Sequence, residues 1–459
     1  MPRLNFGLIL SSALLVAACS PQPPEGPALI EADQAVVNTA VIDFEGRKAV
    51  VREQQTVLIK DDRIVHVGPT SEIVVDDDAL VIEGDGRYLL AGLTEMHGHV
   101  PPAASFGELP ERYLNDVLFL YVANGVTTVR GMLGYPHQLQ LKDDIASGQR
   151  MGPTLYLAGP SFSGNSVESA AQATQRVIEQ RDQGWDLLKI HPGLTLEEYL
   201  ALTSTATAAD MDFAGHVPSA VGLEVALKAG QRTIDHLDGY LEHVDALTRP
   251  ITEEELLELV QMTIRYEAGV VPTQALWATL IGAADEQQLK SYPELNLVPP
   301  AVRKGWLDFL KNPTTSYFNP TTAAIQQQNR QRLLKALHDG GAEILFGTDA
   351  PQLFSVPGFS IHREIDMMAE ADLTPAAILY SATVATGNYF AEQDRFGRIA
   401  AGHRADFLLL PGNPLDNADV LRDLDGVMIR GYWLDRAVID ARLAEIQAAY
   451  TAGSAEGVL

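Results

Sequence analysis

The sequence predicts an α/β protein: a closed (β/α)8 TIM barrel carrying an accessory β-sandwich built from both chain ends. Three observations lead there. Between residues 89 and 390, eight short apolar runs alternate with helical segments, the pattern of βαβ units and a parallel sheet. Both flanks of that region are instead rich in Val and Ile and broken by Gly, Pro and Asp, the pattern of hairpins. The length, 459 residues, suits a large barrel plus an accessory domain.

The chain opens with Arg3 and an apolar stretch over 6–18, too short for a membrane span, which needs about 20 residues. Residues 1–18 are expected to be a signal peptide. The stretch ends Leu15-Val16-Ala17-Ala18-Cys19, which resembles a bacterial lipobox. Cys19 is then the lipidated residue, and Ser20 after it resembles the outer-membrane-sorted form. The expected location is the cell envelope, anchored by lipid to the outer membrane and facing the periplasm of a Gram-negative cell. Residues 19–30, with their prolines, read as a linker. Cys19 is the only cysteine, so the mature chain has no disulfide and no cysteine ligand or nucleophile.

Residues 31–88 hold candidate strands at 35–42, 49–59 and 63–67, the last two separated by Asp61-Asp62; they form the N-terminal part of the sandwich. The barrel is expected over 89–390, with strands at 89–95, 126–129, 154–157, 187–190, 213–215, 233–235, 270–272 and 344–346. Helix punctuation agrees. Thr195 precedes Glu198, and Thr252 precedes Glu255, at capping-box spacing. Gly269 stands where a C-terminal cap glycine belongs, and Thr374-Pro375 reads as an N-cap followed by proline at the first helical position. The segment 277–329, with Trp306, Phe309, Tyr317 and Phe318, is long for a barrel connection. It reads either as a lid over the catalytic face or as a surface helical excursion. Candidate strands at 396–399, 406–410 and 426–429 put the rest of the sandwich at 391–445, leaving 446–459 as a tail.

Acidic residues number 60 and basic residues 33, a formal charge of -27, which disfavours nucleic acid and phosphate-rich partners. The chemistry gathers at strand ends, where barrel side chains line a catalytic mouth. In Met96-His97-Gly98-His99, alternate residues point to one side, so both imidazoles can face one metal. Lys189 ends an apolar run, where an unpaired ammonium is costly. It either snorkels to the rim or is carbamylated by CO2, which makes it an anionic ligand able to bridge two cations. His216 and His236 end two consecutive strands, and Asp349 ends the eighth in Gly347-Thr348-Asp349. Singly each has an ordinary structural reading; together, in strand-end register, they read as a shared ligand set.

This set resembles the amidohydrolase superfamily. The run from Leu90 to His99 is similar to its "PGLIDMHxH" signature, and the run from Phe396 to Phe407 to its "GxIxxGxxADL" return. The lysine on the fourth strand resembles the binuclear, carboxylated-lysine subtype, in the imidazolonepropionase-like and Xaa-Pro dipeptidase-like branch. The sequence departs from the pattern at Glu95, where Asp is more frequent, and at Gly131, where relatives often carry Asp after the Arg. The resemblance implies two divalent ions, zinc above all. His97 and His99 would hold one, His216 and His236 the other, with carbamylated Lys189 between them and Asp349 as ligand and proton carrier. It implies a bridging hydroxide that attacks an amide of a small peptide-like or N-acyl amino acid substrate. Arg130 is expected to meet a substrate carboxylate or to serve a structural ion pair; His191 to face inward or to be structural. His137 and Tyr240 are expected near the substrate. A homo-oligomer fits barrels of this kind. Two other functions compete: a lactone or phosphotriester hydrolase on the same metals, and a non-catalytic solute-binding lipoprotein.

Overall fold

The computed structural model describes residues 30–101 and 112–452, so the signal segment and Cys19 lie outside the described residues. Five strands open the fold: β1 (Gln34–Glu45), β2 (Lys48–Lys60), β3 (Arg63–Pro69), β4 (Leu80–Glu83) and β5 (Tyr88–Ala91). Eight short strands follow: β6 (Leu93–Gly98), β7 (Val126–Gly131), β8 (Thr154–Leu157), β9 (Leu187–Ile190), β10 (Asp212–Gly215), β11 (Thr233–Asp235), β12 (Gly269–Val271) and β13 (Glu343–Ile344). The last three are β14 (Phe407–Leu410), β15 (Gly426–Ile429) and β16 (Tyr432–Asp435).

β1 to β3 form antiparallel hairpins, the second turned by Asp61-Asp62 with Asp61 at φ 52°, a conformation Asp tolerates. Both chain ends meet in one sheet, ordered β16-β15-β14-β5-β1-β2-β3 with β4 on β1. Its inward residues, among them Val41, Val57, Ile59, Leu89, Phe407 and Met428, share a core of their own. The remaining strands form two parallel sheets, β6-β7-β8 and β9 to β13, with helices in most of the connections. Backbone hydrogen bonds join these two sheets at both margins. Asp186 N donates to Leu157 O (3.0 Å) and Phe162 N to Lys189 O (2.8 Å) at one margin. Met96 N donates to Phe346 O (2.9 Å) and Asp349 N to His97 O (2.7 Å) at the other.

The α/β expectation holds, and the strands at 154–157, 187–190 and 233–235 fall where expected. Four expectations need correction. The run 89–95 is two strands: β5 pairs with β14, and β6 with β7. Gly92 divides them, and a Cβ there would overlap the Thr127 side chain. Residues 396–399 form no strand; Phe396 and Ile399 are buried in a loop pinned by Arg404, which bonds Asp394, Asp406 and Thr128. Gly269 begins β12 rather than capping a helix; the chain turns at Glu267, φ 53°. The helix Arg436–Ala452 runs through the expected boundary at 445. Its Tyr450 hydroxyl donates to Asp116 (2.6 Å) on the helix Arg112–Ala123, so its end is docked rather than a tail. Both capping boxes form, and Thr374 caps its helix ahead of Pro375. No helix among the described residues is long and apolar enough to cross a membrane.

Candidate metal centre

The C-terminal ends of the parallel strands carry the predicted ligands to one place. β6 carries His97 near its end and runs into His99, β9 carries Lys189, and β10 and β11 run into His216 and His236. Asp349 follows β13 on a turn held against β6. Glu95 ties the two together: its Oε1 accepts from His97 N (3.0 Å) and Thr348 N (2.7 Å), and its Oε2 from Thr348 Oγ1 (2.6 Å). Burial pushes the Glu95 carboxyl up to about 8, against the hydrogen bonds from Thr348 and His97. Gly347 permits this approach, since a Cβ there would lie 2.9 Å from His97 N. His236 (φ 65°) and Asp349 (φ 63°) both hold left-handed backbone, a strain concentrated at functional sites.

His97, His236 and Asp349 are buried and offer ligand atoms all within 4.8 Å of one another. His99 Nε2 lies 2.6 Å from Asp349 Oδ1, and Lys189 Nζ lies 3.0 Å from His97 Nε2. The His216 ring is centred 4.6 Å from that of His236. The tightest grouping joins His97 to His236, ring centres 4.3 Å apart, rather than to His99, at 5.6 Å.

Neighbours fix the ring orientations. His97 Nδ1 donates to Asp235 Oδ2 (2.6 Å), His216 Nδ1 pairs with Asp238 (3.1 Å), and His236 Nδ1 with Thr273 Oγ1 (2.7 Å). His97 Nε2 is left 3.0 Å from Lys189 Nζ, and His236 keeps Nδ1 3.8 Å from Asp349 Oδ2; such partners orient histidine ligands. Burial, then the nearby Lys189 and imidazoles, holds His97 and His236 well below the usual imidazole range, in the neutral form that ligates metal. Burial also lowers the Lys189 ammonium to about 8. His236 Nε2 and His99 Nδ1 are buried without a hydrogen-bond partner, which costs free energy unless a cation takes the lone pair. Imidazoles with a carboxylate suit zinc, so the residues fit the metal the sequence implies.

The cluster floors a cavity of about 610 Å³. Trp277, Trp306, Phe309 and Tyr317 line it, so the 277–329 segment builds its wall; Phe318 is not in the lining. His191 lines it too, and burial keeps that imidazole far below its ordinary value. The other substrate candidates lie elsewhere. Arg130 is fully buried, donating to Met96 O (2.6 Å), Tyr389 (3.2 Å) and Asp235 (3.2 Å), and is not in the lining. Tyr240 is buried with its hydroxyl on Thr263 (2.7 Å), and His137 is exposed outside the lining. Sequence reasoning missed Asp235, Asp238 and Thr273. The available signal was alternation on β11, which sets Thr233 and Asp235 on one side.

The sequence model of the Amidohydrolase family matches residues 88–434. No curated protein matches the chain. Among solved structures, a bottromycin amidohydrolase is 23% identical, covering 91% of this chain and 90% of its own, with a TM-score of 0.71. A Xaa-Pro dipeptidase with methionine in its active site is 19% identical, covering 88% and 99%, with a TM-score of 0.66. A putative prolidase from Bifidobacterium longum is 21% identical, covering 90% and 98%, with a TM-score of 0.65. At these identities the likeness is one of fold.

Proposed function

The chain belongs to the amidohydrolase family, and from that premise we propose that it is a metal-dependent hydrolase of amide bonds in small peptide-like molecules. The observation that carries this reading is the Asp349 carboxylate set among His97, His99 and His236 on the floor of a cavity. The bonds joining the parallel sheets at both margins support a closed (β/α)8 barrel, and the shared core of the outer sheet supports a sandwich. The Leu15–Cys19 sequence supports a lipid anchor at Cys19 and an envelope location.

Two zinc ions, when bound, would supply Lewis-acid polarisation of the carbonyl and a lowered pKa for water. His97, His99, His216 and His236 would hold them through ring nitrogens, with Asp349 and carbamylated Lys189 as oxygen donors. The lowered Lys189 pKa leaves neutral amine available near pH 8. That amine adds to CO2: an N–C bond forms, a C=O π bond opens, and the surplus proton leaves to solvent. Asp349 accepts the proton of the attacking water and returns it to the amide nitrogen as the C–N bond breaks.

Zinc analysis and turnover test this on the chain lacking residues 1–19. About two zinc per chain are expected from the binuclear site, and fewer in Lys189→Ala. Asp349→Asn should lower kcat on an amide panel by about 10²-fold or more, the range of a general acid–base contribution, while most zinc stays bound. Normal turnover in that variant ends the reading.

A further inference from the structure

The lining of the cavity bears on which amide it takes. Among the described residues no lysine or arginine lines it. Residues 102–111, next to Pro101 in sequence, contain neither residue type. The basic side chains closest to the floor are committed elsewhere. Arg330 donates through Nε to Gln274 (3.0 Å) and through its two amino groups to His236 O (2.7 Å) and Pro272 O (3.1 Å), and it stacks on the Trp277 ring. Arg130 is spent on Asp235 and Met96 O. Lys189 points at His97, and carbamylation would replace its cation with an anion.

The walls are instead aromatic and aliphatic. Trp277 and Tyr317 pack with ring centres 4.6 Å apart, and Trp306 and Phe309 face the same cavity from the helix Pro300–Lys311. The polar side chains of the walls, among them Thr314, Thr315, Gln352, Tyr135 and the His191 imidazole lowered by burial, carry no positive charge. A carboxylate entering such a space loses its hydration and gains no counter-charge from the walls. The formal charge of -27 adds long-range repulsion of anions at the approach. A flat apolar group gains by burial against the rings.

We propose that the cavity selects a neutral amide bearing an aromatic or bulky apolar group, and discriminates against the same amide carrying a free α-carboxylate. This rests on the hydrolase reading and narrows it: capped peptide-like compounds are substrates, and N-acyl amino acids and free dipeptides are poor ones.

The test separates binding from turnover. The zinc-loaded wild-type chain is titrated with two non-scissile ketones, 5-phenylpentan-2-one and 2-benzyl-4-oxopentanoate, following tryptophan fluorescence. They mimic N-acetylphenethylamine and N-acetyl-L-phenylalanine with the amide nitrogen replaced by carbon. The neutral ketone should bind about tenfold or more tightly than the acid, the range expected for an unpaired polar group. Its affinity should fall about tenfold in Trp277→Ala or Trp306→Ala, as for loss of a buried aromatic contact. Equal or tighter binding of the acid overturns the inference, and so does failure of the neutral ketone to bind. Turnover of the two amides is measured beside this. If the neutral ketone is preferred but neither amide is cleaved, the hydrolase reading falls while the selectivity stands.

Discussion

Asp235 serves the His97 ring and the Arg130 guanidinium at once. Its Oδ2 accepts from His97 Nδ1, and its Oδ1 accepts from Thr233 Oγ1 (2.6 Å) and Arg130 (3.2 Å), all at full burial. Removing its charge should therefore act on the metal site and on the fold together. Asp235→Asn is expected to weaken zinc binding about 10- to 100-fold, measured by chelator competition, because His97 loses the partner that fixes its ring. It should also cost about 3–5 kcal/mol in a denaturant titration of the apo chain, since Arg130 is left buried without its counter-charge. Unchanged zinc affinity would show that His97 is oriented by its strand alone. The ligand candidates were legible in sequence because each sits at a strand end, a local property. Asp235, Asp238 and Thr273 were not, because their roles depend on contacts between strands. Arg130 shows the same limit: an arginine near a strand end has one sequence signature whether it faces the cavity or a buried ion pair between strands.

At the scale of elements, the wall of the cavity depends on how the helix Gln274–Ile281 begins. Its first amides are met by a side chain from another helix: Glu364 accepts from Gln274 N (2.9 Å) through Oε1 and from Ala275 N (2.9 Å) through Oε2. Burial raises the Glu364 carboxyl from 4.5 to about 7, outweighing those bonds and the pull of Arg330. A raised carboxyl favours the protonated form in the fold. Its contribution is thus full below about pH 4.5 and lost as pH rises through about 7, on the order of 3 kcal/mol across that window. Stability of Glu364→Gln, followed by chemical denaturation from pH 4.5 to 8, should lack this component. The wild-type curve should fall relative to the variant as pH rises. Parallel curves would mean that Glu364 is ionised throughout and stabilised by the helix start. No local pattern announces this cap, whereas the capping boxes at Thr195 and Thr252 were readable because both partners lie within four residues. Strand boundaries failed for a related reason. The run 89–95 looks continuous in hydropathy, and only its two sets of pairing partners divide it at Gly92.

For the whole molecule, charge was the property most fully readable from sequence, and it sets a balance between repulsion over distance and attraction at contact. The α/β class was also readable, from the change in pattern between the ends and the middle. That both ends share one sheet followed from their common β character, but its strand order, with β5 between β14 and β1, is a long-range fact. The net charge of -27 means that most charge pairs across the molecule repel. Many ion pairs offset this, such as Lys304–Asp308 and Arg422–Asp366, but these are exposed and contribute little. Raising NaCl from about 10 mM to about 150 mM shortens the screening length from about 30 Å to about 8 Å. Repulsions between separated carboxylates are then largely removed. The buried pairs Arg130–Asp235 and Arg404–Asp406 keep most of their attraction, because solvent ions do not reach them. The melting temperature of the zinc-loaded chain should therefore rise with NaCl, measured by calorimetry at fixed pH and free zinc. A melting temperature that falls over this range would mean that surface ion pairs, rather than net repulsion, dominate the electrostatic free energy of the fold.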